Sequence, residues 1–441
     1  MANLSAPTVS EPIYECAAGV VVVGYVPGAN VTIIAKPPGA NVAMQVGGGV
    51  SNSAGGQVFG VATVNMVAGA SITATQMFGA VTSPSSPEVV VQSALNVDAP
   101  RLMTPLLEHA RCVHVGGLLP GVTVEVRDAG TLIGRSLSAD AGVHVDVYPP
   151  LASGHTIKAR QVYCGNPGPE SPGIAVTPTT VERTIPLGTP ELAYPLFACQ
   201  PTCIVFGCVP GCDVELFVDG VPVGSSCSDS TGMAFEVAGG LVPGTTITAR
   251  QGLRSGRIWS EMSAGVVVQP AANIPKPAIC PPLYAGDTAV MVGMTVAGEV
   301  VTIAADGAKI GMGGSGGGGV ILNVDPPLVA GQKVFATVEL CAVKKRSRPV
   351  LVRSAPESVQ APKVVEPLIA CCPYVEVSDC IPGAEVRVFA RTGGNIVLLG
   401  VTKTLGAAAT VGITPPLENG WSVFATQKAG GELVKALRPE P

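Results

Sequence analysis

Leu119-Pro120-Gly121-Val122-Thr123-Val124-Glu125-Val126-Arg127-Asp128-Ala129-Gly130 carries the plan of the chain. The Pro-Gly pair marks a turn, and the valines alternating with Thr123, Glu125 and Arg127 mark a half-buried strand. The opening word recurs at Val26-Pro27-Gly28, Val209-Pro210-Gly211, Val296-Ala297-Gly298 and Ile381-Pro382-Gly383. Further on, Pro149-Pro150-Leu151 begins a loop that enters a strand ending at Ala159-Arg160-Gln161. Pro326-Pro327-Leu328 and Pro415-Pro416-Leu417 repeat that loop, and Gln76, Gln251 and Gln427 repeat that end. Gln76 and Gln161 lie 85 residues apart, and Gln161 and Gln251 lie 90 apart. An internal period of this size predicts five like units, 1–96, 97–183, 184–271, 272–359 and 360–441.

Composition agrees with an all-β chain. The 55 Gly and 40 Pro among 441 residues would signal disorder only if apolar residues were scarce, and they make up 47%. Gly and Pro stand between short runs of Val, Ile and Thr, as tight turns between strands require. In the second unit strands are expected at 113–115, 122–127, 131–135, 143–147, 156–162 and 174–176. Asp128-Ala129-Gly130, Asp219-Gly220 and Asp306-Gly307 suit two-residue hairpins, because Asp and Gly tolerate positive φ. No stretch shows helical periodicity with caps.

These words resemble the bacterial immunoglobulin-like repeats found in tandem in surface, adhesive and particle-decorating proteins. The resemblance is carried by Pro210-Gly211-Cys212-Asp213-Val214-Glu215-Leu216-Phe217-Val218-Asp219-Gly220-Val221-Pro222-Val223-Gly224 and by Leu241-Val242-Pro243-Gly244-Thr245-Thr246-Ile247-Thr248-Ala249. It covers nearly the whole chain and implies a β-sandwich fold with a binding or spacing role, and it brings no catalytic residues. Repeat four departs from the pattern, with Ala297 in place of Pro and Val338 in place of Gln. Short joints containing Pro, such as Val176-Thr177-Pro178 and Val268-Gln269-Pro270, lead to an expected elongated rod of five domains end to end.

Several stretches imitate chemistry. Gly313-Gly314-Ser315-Gly316-Gly317 satisfies G-x-S-x-G, but the serine lies in a glycine run rather than on a strand-to-helix elbow. His109, His114, His144 and His155 all fall in repeat two beside Cys112 and Cys164, the residue types a zinc site uses, although they are spread over several strands. His144 alternates with Val143 and Val145, which places it on the solvent face. Cys199, Cys203, Cys208, Cys212 and Cys227 lack the paired spacing of zinc motifs. Cys16, Cys199 and Cys371 each follow a proline by four residues, as a small buried residue at one recurring corner would. Strand lengths keep Cys112 and Cys164 too far apart to be joined, while Cys280 and Cys341 are less clear, and mostly reduced thiols are expected. Lys344-Lys345-Arg346-Ser347-Arg348 reads as a solvated loop before the last strand of its repeat. Asp128, Asp219 and Asp306 are single acids per repeat, too few for calcium.

No catalytic, cofactor-binding or metal-binding residue is therefore assigned, and no cofactor. Charged residues are 13% and the net charge is −5, which argues against nucleic acid as a partner. No secretory signal or membrane-spanning run is read, which suggests cytoplasmic synthesis with surface or particle association. The expected function is a non-enzymatic structural or adhesive scaffold associating with other protein chains, with itself as a filament, or with a particle or surface. A carbohydrate- or protein-ligand-binding module is the alternative, and a hydrolase a distant one. Aromatic residues at 4% give the carbohydrate reading little to build on.

Overall fold

A computed structural model of the chain describes residues 4–51, 56–93, 97–138, 141–179, 187–228, 232–253, 258–355, 361–370, 372–381, 383–392, 395–404, 406–430 and 432–434. Repeat two shows the common plan. A three-stranded sheet orders Arg101–Leu102, Cys112–Gly116 and Gly142–Asp146. The facing sheet orders Thr131–Leu137, Thr123–Asp128, Thr156–Tyr163 and Asn166–Glu170, and a closing strand, Ile174–Ala175, also pairs with Thr156–Tyr163. This is an immunoglobulin-like β-sandwich, and the other four repeats order their strands in the same way. Alternation builds the core. Along Thr156–Tyr163 the buried residues are Ile157, Ala159 and Gln161, and Ile157 and Ala159 share a core cluster with Val113, Val115 and Val145 of the facing sheet. Each buried Val or Ile stabilises the sandwich by roughly 1.5–3 kcal/mol.

The hairpins form as their residues suggest. Ala129-Gly130, Asp219-Gly220 and Asp306-Gly307 all take positive φ at both positions. A second hairpin escapes the sequence reading. Cys164-Gly165 and Cys341-Ala342 also take positive φ, and they turn the long strand back into Asn166–Glu170 and Val343–Arg346. The segments around Asn166 and Lys344 are therefore strands rather than loops. Arg101–Leu102 is a further short strand with no strong alternation to announce it.

By contacts the chain divides into two compact units. One comprises residues 16–19 with 94–274, and the other residues 1–15, 20–93 and 275–441. In the first, repeat three packs on repeat two, where Cys212 and Leu253 join repeat two's buried cluster. The Pro-Gly turn is the joint. A Cβ on Gly121 would stand 2.7 Å from both the Ala17 Cβ and the Gly19 carbonyl oxygen, and one on Gly211 would stand 3.1 Å from the Cys112 carbonyl. Glycine also supplies the positive φ there.

In the other unit, repeats one, four and five pack together. Leu4, Val26 and Ala29 form a cluster with Val300 and Met312 against it. Asn323 donates from Nδ2 to the Ala6 carbonyl at 2.9 Å, and Arg387 pairs with Glu11 at 3.1 Å. The expected rod, in which each repeat meets only its neighbours in sequence, is therefore not what this unit shows. Polar backbone edges at the amino-terminal segment find partners some 300 residues away, which short stiff joints alone do not foretell.

Candidate functional site

The repeated glutamine is a structural clamp. Gln76, Gln161, Gln251 and Gln427 are all buried, and each Oε1 accepts the amide that opens its repeat's turn, from Val26, Leu119, Val209 and Ile381 at 2.7–2.9 Å. Each Nε2 donates to backbone carbonyls, such as Asp98 for Gln161 and Gly188 for Gln251. An amide side chain suits the place because it offers an acceptor and donors together. Repeat four has Val338 there, and Glu299 takes over. Its Oε2 accepts the Val296 amide at 2.8 Å, while its Oε1 is buried without a partner. Burial pushes this carboxyl up to about 7, against the pull of the Val296 amide.

Ser315 is sealed rather than poised. It is buried, its Oγ lies 2.7 Å from Thr295 Oγ1, and that oxygen accepts the Gly317 amide. The preceding glycines have a packing role. A Cβ on Gly313 would fall 2.4 Å from the Gly24 carbonyl oxygen, and one on Gly314 would fall 2.6 Å from that of Tyr25. Repeat one's backbone lies against this strand, which excludes any larger residue.

The cysteines correct the expectation of mostly reduced thiols. Cys16 bonds Cys164 with Cα atoms 5.1 Å apart, Cys112 bonds Cys227 at 6.3 Å, and Cys199 and Cys341 are also disulfide-bonded. Cys112 and Cys164 are not joined to each other, as strand lengths require, because each finds its partner outside repeat two. Reasoning within one repeat has no access to such partners. Cys280 is a free thiol, as are Cys203, Cys212, Cys372 and Cys380. Burial pushes Cys203 and Cys212 up to about 12, which keeps both as unreactive thiols. The corner after the proline is not merely a small apolar site. Cys16, Cys199 and His109 all take positive φ there, while Cys371 lies outside the described residues.

The histidines have separate settings. His114 and His144 sit opposite each other on paired strands, with Val145 buried, His155 Nδ1 contacts Asp128 Oδ2 at 2.5 Å, and both nearby cysteines are bridged. Among the described residues no three His, Cys, Asp or Glu side chains gather closely enough to hold a metal ion. Asp219 and Asp306 each accept an amide, from Thr246 and Lys333, fastening their hairpin to the next long strand. The basic run lies on an edge strand rather than a loop. Lys344 pairs with Glu339 at 3.3 Å, the Arg346 guanidinium lies 3.8 Å from the Phe335 ring centroid, and Ser347 is buried.

Between repeats one, four and five lies a cavity of about 870 Å³. Its charged walls come from Glu11, Asp287, Glu385, Arg387, Lys403 and Lys428. Arg387 is engaged by Glu11 and Glu385, and Lys403 donates to the Ala289 carbonyl at 2.9 Å. Burial lowers the Lys403 ammonium, against Asp287 and Glu385, which raise it. Burial likewise raises Glu11, against the Arg387 charge. The walls thus largely satisfy one another, as at a polar seam between packed domains.

Repeat five differs from the others at one edge. Its larger sheet has four strands among the described residues, where repeats two and three have five and repeats one and four have six. No described strand occupies the closing position. No helix among the described residues is long and apolar enough to cross a membrane.

No protein-family description matches the chain, and no curated protein matches it. Several solved structures overlap it at low identity. A biofilm associated protein's BSP domain is 10% identical, with 81% of this chain and 98% of that one covered at a TM-score of 0.21. The central fibronectin-III array of RIM-binding protein is 17% identical over 60% and 99% of the two chains, at 0.20. The four amino-terminal Ig domains of Dscam1 isoform 1.9 are 10% identical over 80% and 98%, at 0.24. The strand pairing itself identifies the chain as tandem immunoglobulin-like β-sandwiches.

Proposed function

We propose that the chain is a non-enzymatic structural or adhesive scaffold that works by associating with other protein chains, a larger particle or a surface. The covalent joint carries this reading. Cys16–Cys164 and Cys112–Cys227 tie successive repeats together, beside glycine turns that admit only the neighbouring backbone. Within the unit of residues 16–19 and 94–274, cysteines and glycines spent in this way fasten repeat three to repeat two, which a spacer needs and an isolated binding module does not. Such bridges persist in oxidising surroundings, in keeping with work at a surface. Low charge supports association, since edges of a solitary protein are normally blunted by charges. Large apolar side chains such as Val42, Val64 and Ile369 are exposed. Exposed aromatics, Phe78, Tyr148, Tyr194, Phe206 and Tyr374, are divided among four repeats, which gives a glycan no single platform.

Sedimentation of the purified, oxidised chain at micromolar concentration, alone and with particles or membranes from its source, is the test. Faster sedimentation than a monomer, or co-sedimentation, is expected. A strictly monomeric species that joins nothing overturns the reading.

A further inference from the structure

Lys403 and Lys428 are the exceptions in the seam between repeats one, four and five. The strand Glu385–Thr392 pairs with Asn395–Lys403 on one side and Ser422–Ala429 on the other, and Glu385 lies directly opposite Lys403 in the first pairing and Lys428 in the second. These three residues therefore share one face of the sheet, with Arg387 two residues on, and all four line the cavity. The carboxylates are spent elsewhere. Glu11 and Glu385 both hold Arg387, and Asp287 accepts the amides of Tyr284 at 2.9 Å and Gly430 at 3.1 Å. Among the described residues no carboxylate forms an ion pair with Lys403 or Lys428. The two lysines sit two strands apart, roughly 10 Å between backbones, a gap that two lysine stems close onto a single anion.

Beside Lys403 the cavity wall changes from polar to apolar. Lys403 Nζ donates to the Ala289 carbonyl at 2.9 Å, and Ala289 opens the strand Ala289–Thr295 of repeat four. In that strand Val290 and Val292 are buried in the repeat's own sandwich, so Met291 faces outward, and its partner across the ladder is Ile321. Met291 and Ile321 both line the cavity, and Ile321 keeps 36% of its surface exposed. Val23 of repeat one adds to the same lining. A cavity of about 870 Å³ with an apolar wall beside two cations has the size and make-up of a small-molecule site. Burial lowers the Lys403 ammonium despite the opposite pull of Asp287 and Glu385, so a further anion beside it would find a charge that its present neighbours do not offset.

We propose that this cavity binds an amphipathic organic acid, with its carboxylate between Lys403 and Lys428 and its apolar body along Met291 and Ile321. One carboxylate offers an oxygen to each ammonium, and a bond between two charged groups is stronger than one between neutral groups. An uncharged lipid would leave both ammonium groups without an anion. A small inorganic anion would leave Met291 and Ile321 facing water. The site goes beyond the scaffold role and does not depend on it, because every wall comes from repeats one, four and five of the same chain.

The test is calorimetric titration of the full, oxidised chain with decanoate below its micellar concentration, with decanol as the uncharged control. One saturable site per chain is expected, with decanol about tenfold weaker or more, since it forfeits the bonds to the two ammonium groups. Lys428→Met keeps the apolar stem and removes the charge, and it should weaken decanoate about tenfold while leaving decanol unchanged. Ile321→Asp puts a carboxylate beside the apolar body and should weaken both ligands. A second measurement needs no variant. Acetic anhydride labelling of the unaltered chain, read by mass spectrometry, should show Lys428 protected by decanoate and not by decanol, with Lys344 and Lys345 labelled equally in both. Absence of saturable binding overturns the inference. So does decanol that binds as tightly as decanoate, binding that survives Lys428→Met, or labelling of Lys428 that decanoate does not slow.

Discussion

Glu125 of repeat two and Glu299 of repeat four are both buried carboxyl groups in the same type of sandwich, yet they are displaced in opposite directions. Burial pushes Glu125 up, but hydrogen bonds from Arg135, Arg127 and Arg160 outweigh it and hold the group at about 2. Glu299 has one backbone amide and no cation, and burial carries it to about 7. Loss of water raises both, and the partners decide the sign. The two repeats should therefore answer pH in opposite ways. Glu125 contributes stability that is present above the ordinary carboxylate value of 4.5 and lost as pH falls through about 2. The contribution of Glu299 is fully present below 4.5 and lost as pH rises through about 7.

Removing the carboxylate from repeat two should have the largest effect. Glu125→Leu leaves three guanidinium groups around an apolar side chain and should cost about 3–4 kcal/mol, read from amide exchange along Thr123–Asp128. A loss below about 1 kcal/mol would mean that solvent serves those arginines as well as Glu125 does. Next, Gln161→Glu should make repeat two behave like repeat four. Its new oxygen would face the Asp98 and Gly117 carbonyls, which now accept from Nε2, so the cost should be about 2–3 kcal/mol at pH 8 and smaller at pH 4. An equal cost at both pH values would break the parallel.

The converse change, Glu299→Gln, should stabilise repeat four by about 2 kcal/mol at pH 8 and by almost nothing at pH 4.5, because only the ionised form carries the penalty. Exchange of the amides in Val300–Ala305 is the measurement, and a gain independent of pH would refute the assignment. Smallest is Asp219→Ala, which removes the carboxylate that accepts the Thr246 amide and should cost about 1 kcal/mol, confined to repeat three. Asp306→Ala in repeat four should match it, since Asp306 makes the same bond to Lys333.

The sequence makes the sandwich legible because its alternation and its turn residues act over a few positions. Asp219-Gly220 discloses a hairpin since both types accept positive φ. Cys164-Gly165 conceals one, because cysteine is not a residue from which that conformation is expected, and so the basic run behind Cys341-Ala342 is mistaken for a loop. The recurring glutamine is visible as a landmark, but its role needs the turn amide brought within 3 Å by the fold. Ala297 and Val338 mark repeat four as exceptional in sequence, and that departure points to Glu299. Disulfide partners and the packing of repeat one on repeats four and five depend on meetings between repeats, where a short-range pattern has nothing to say.

The two bridges interlock, since Cys112 lies inside the 148-residue loop closed by Cys16–Cys164 while its partner Cys227 lies outside it. Tension applied beyond Cys16 and Cys227 crosses sulfur at Cys164, travels through repeat two, and crosses sulfur again to leave at Cys227. Most of the enclosed polypeptide stays slack under load. The shortest covalent path from Cys16 to Cys227 then holds the 52 residues between Cys112 and Cys164 instead of 211, and cutting Cys112–Cys227 lengthens it only to the 63 from Cys164 to Cys227, cutting Cys16–Cys164 to the 96 from Cys16 to Cys112.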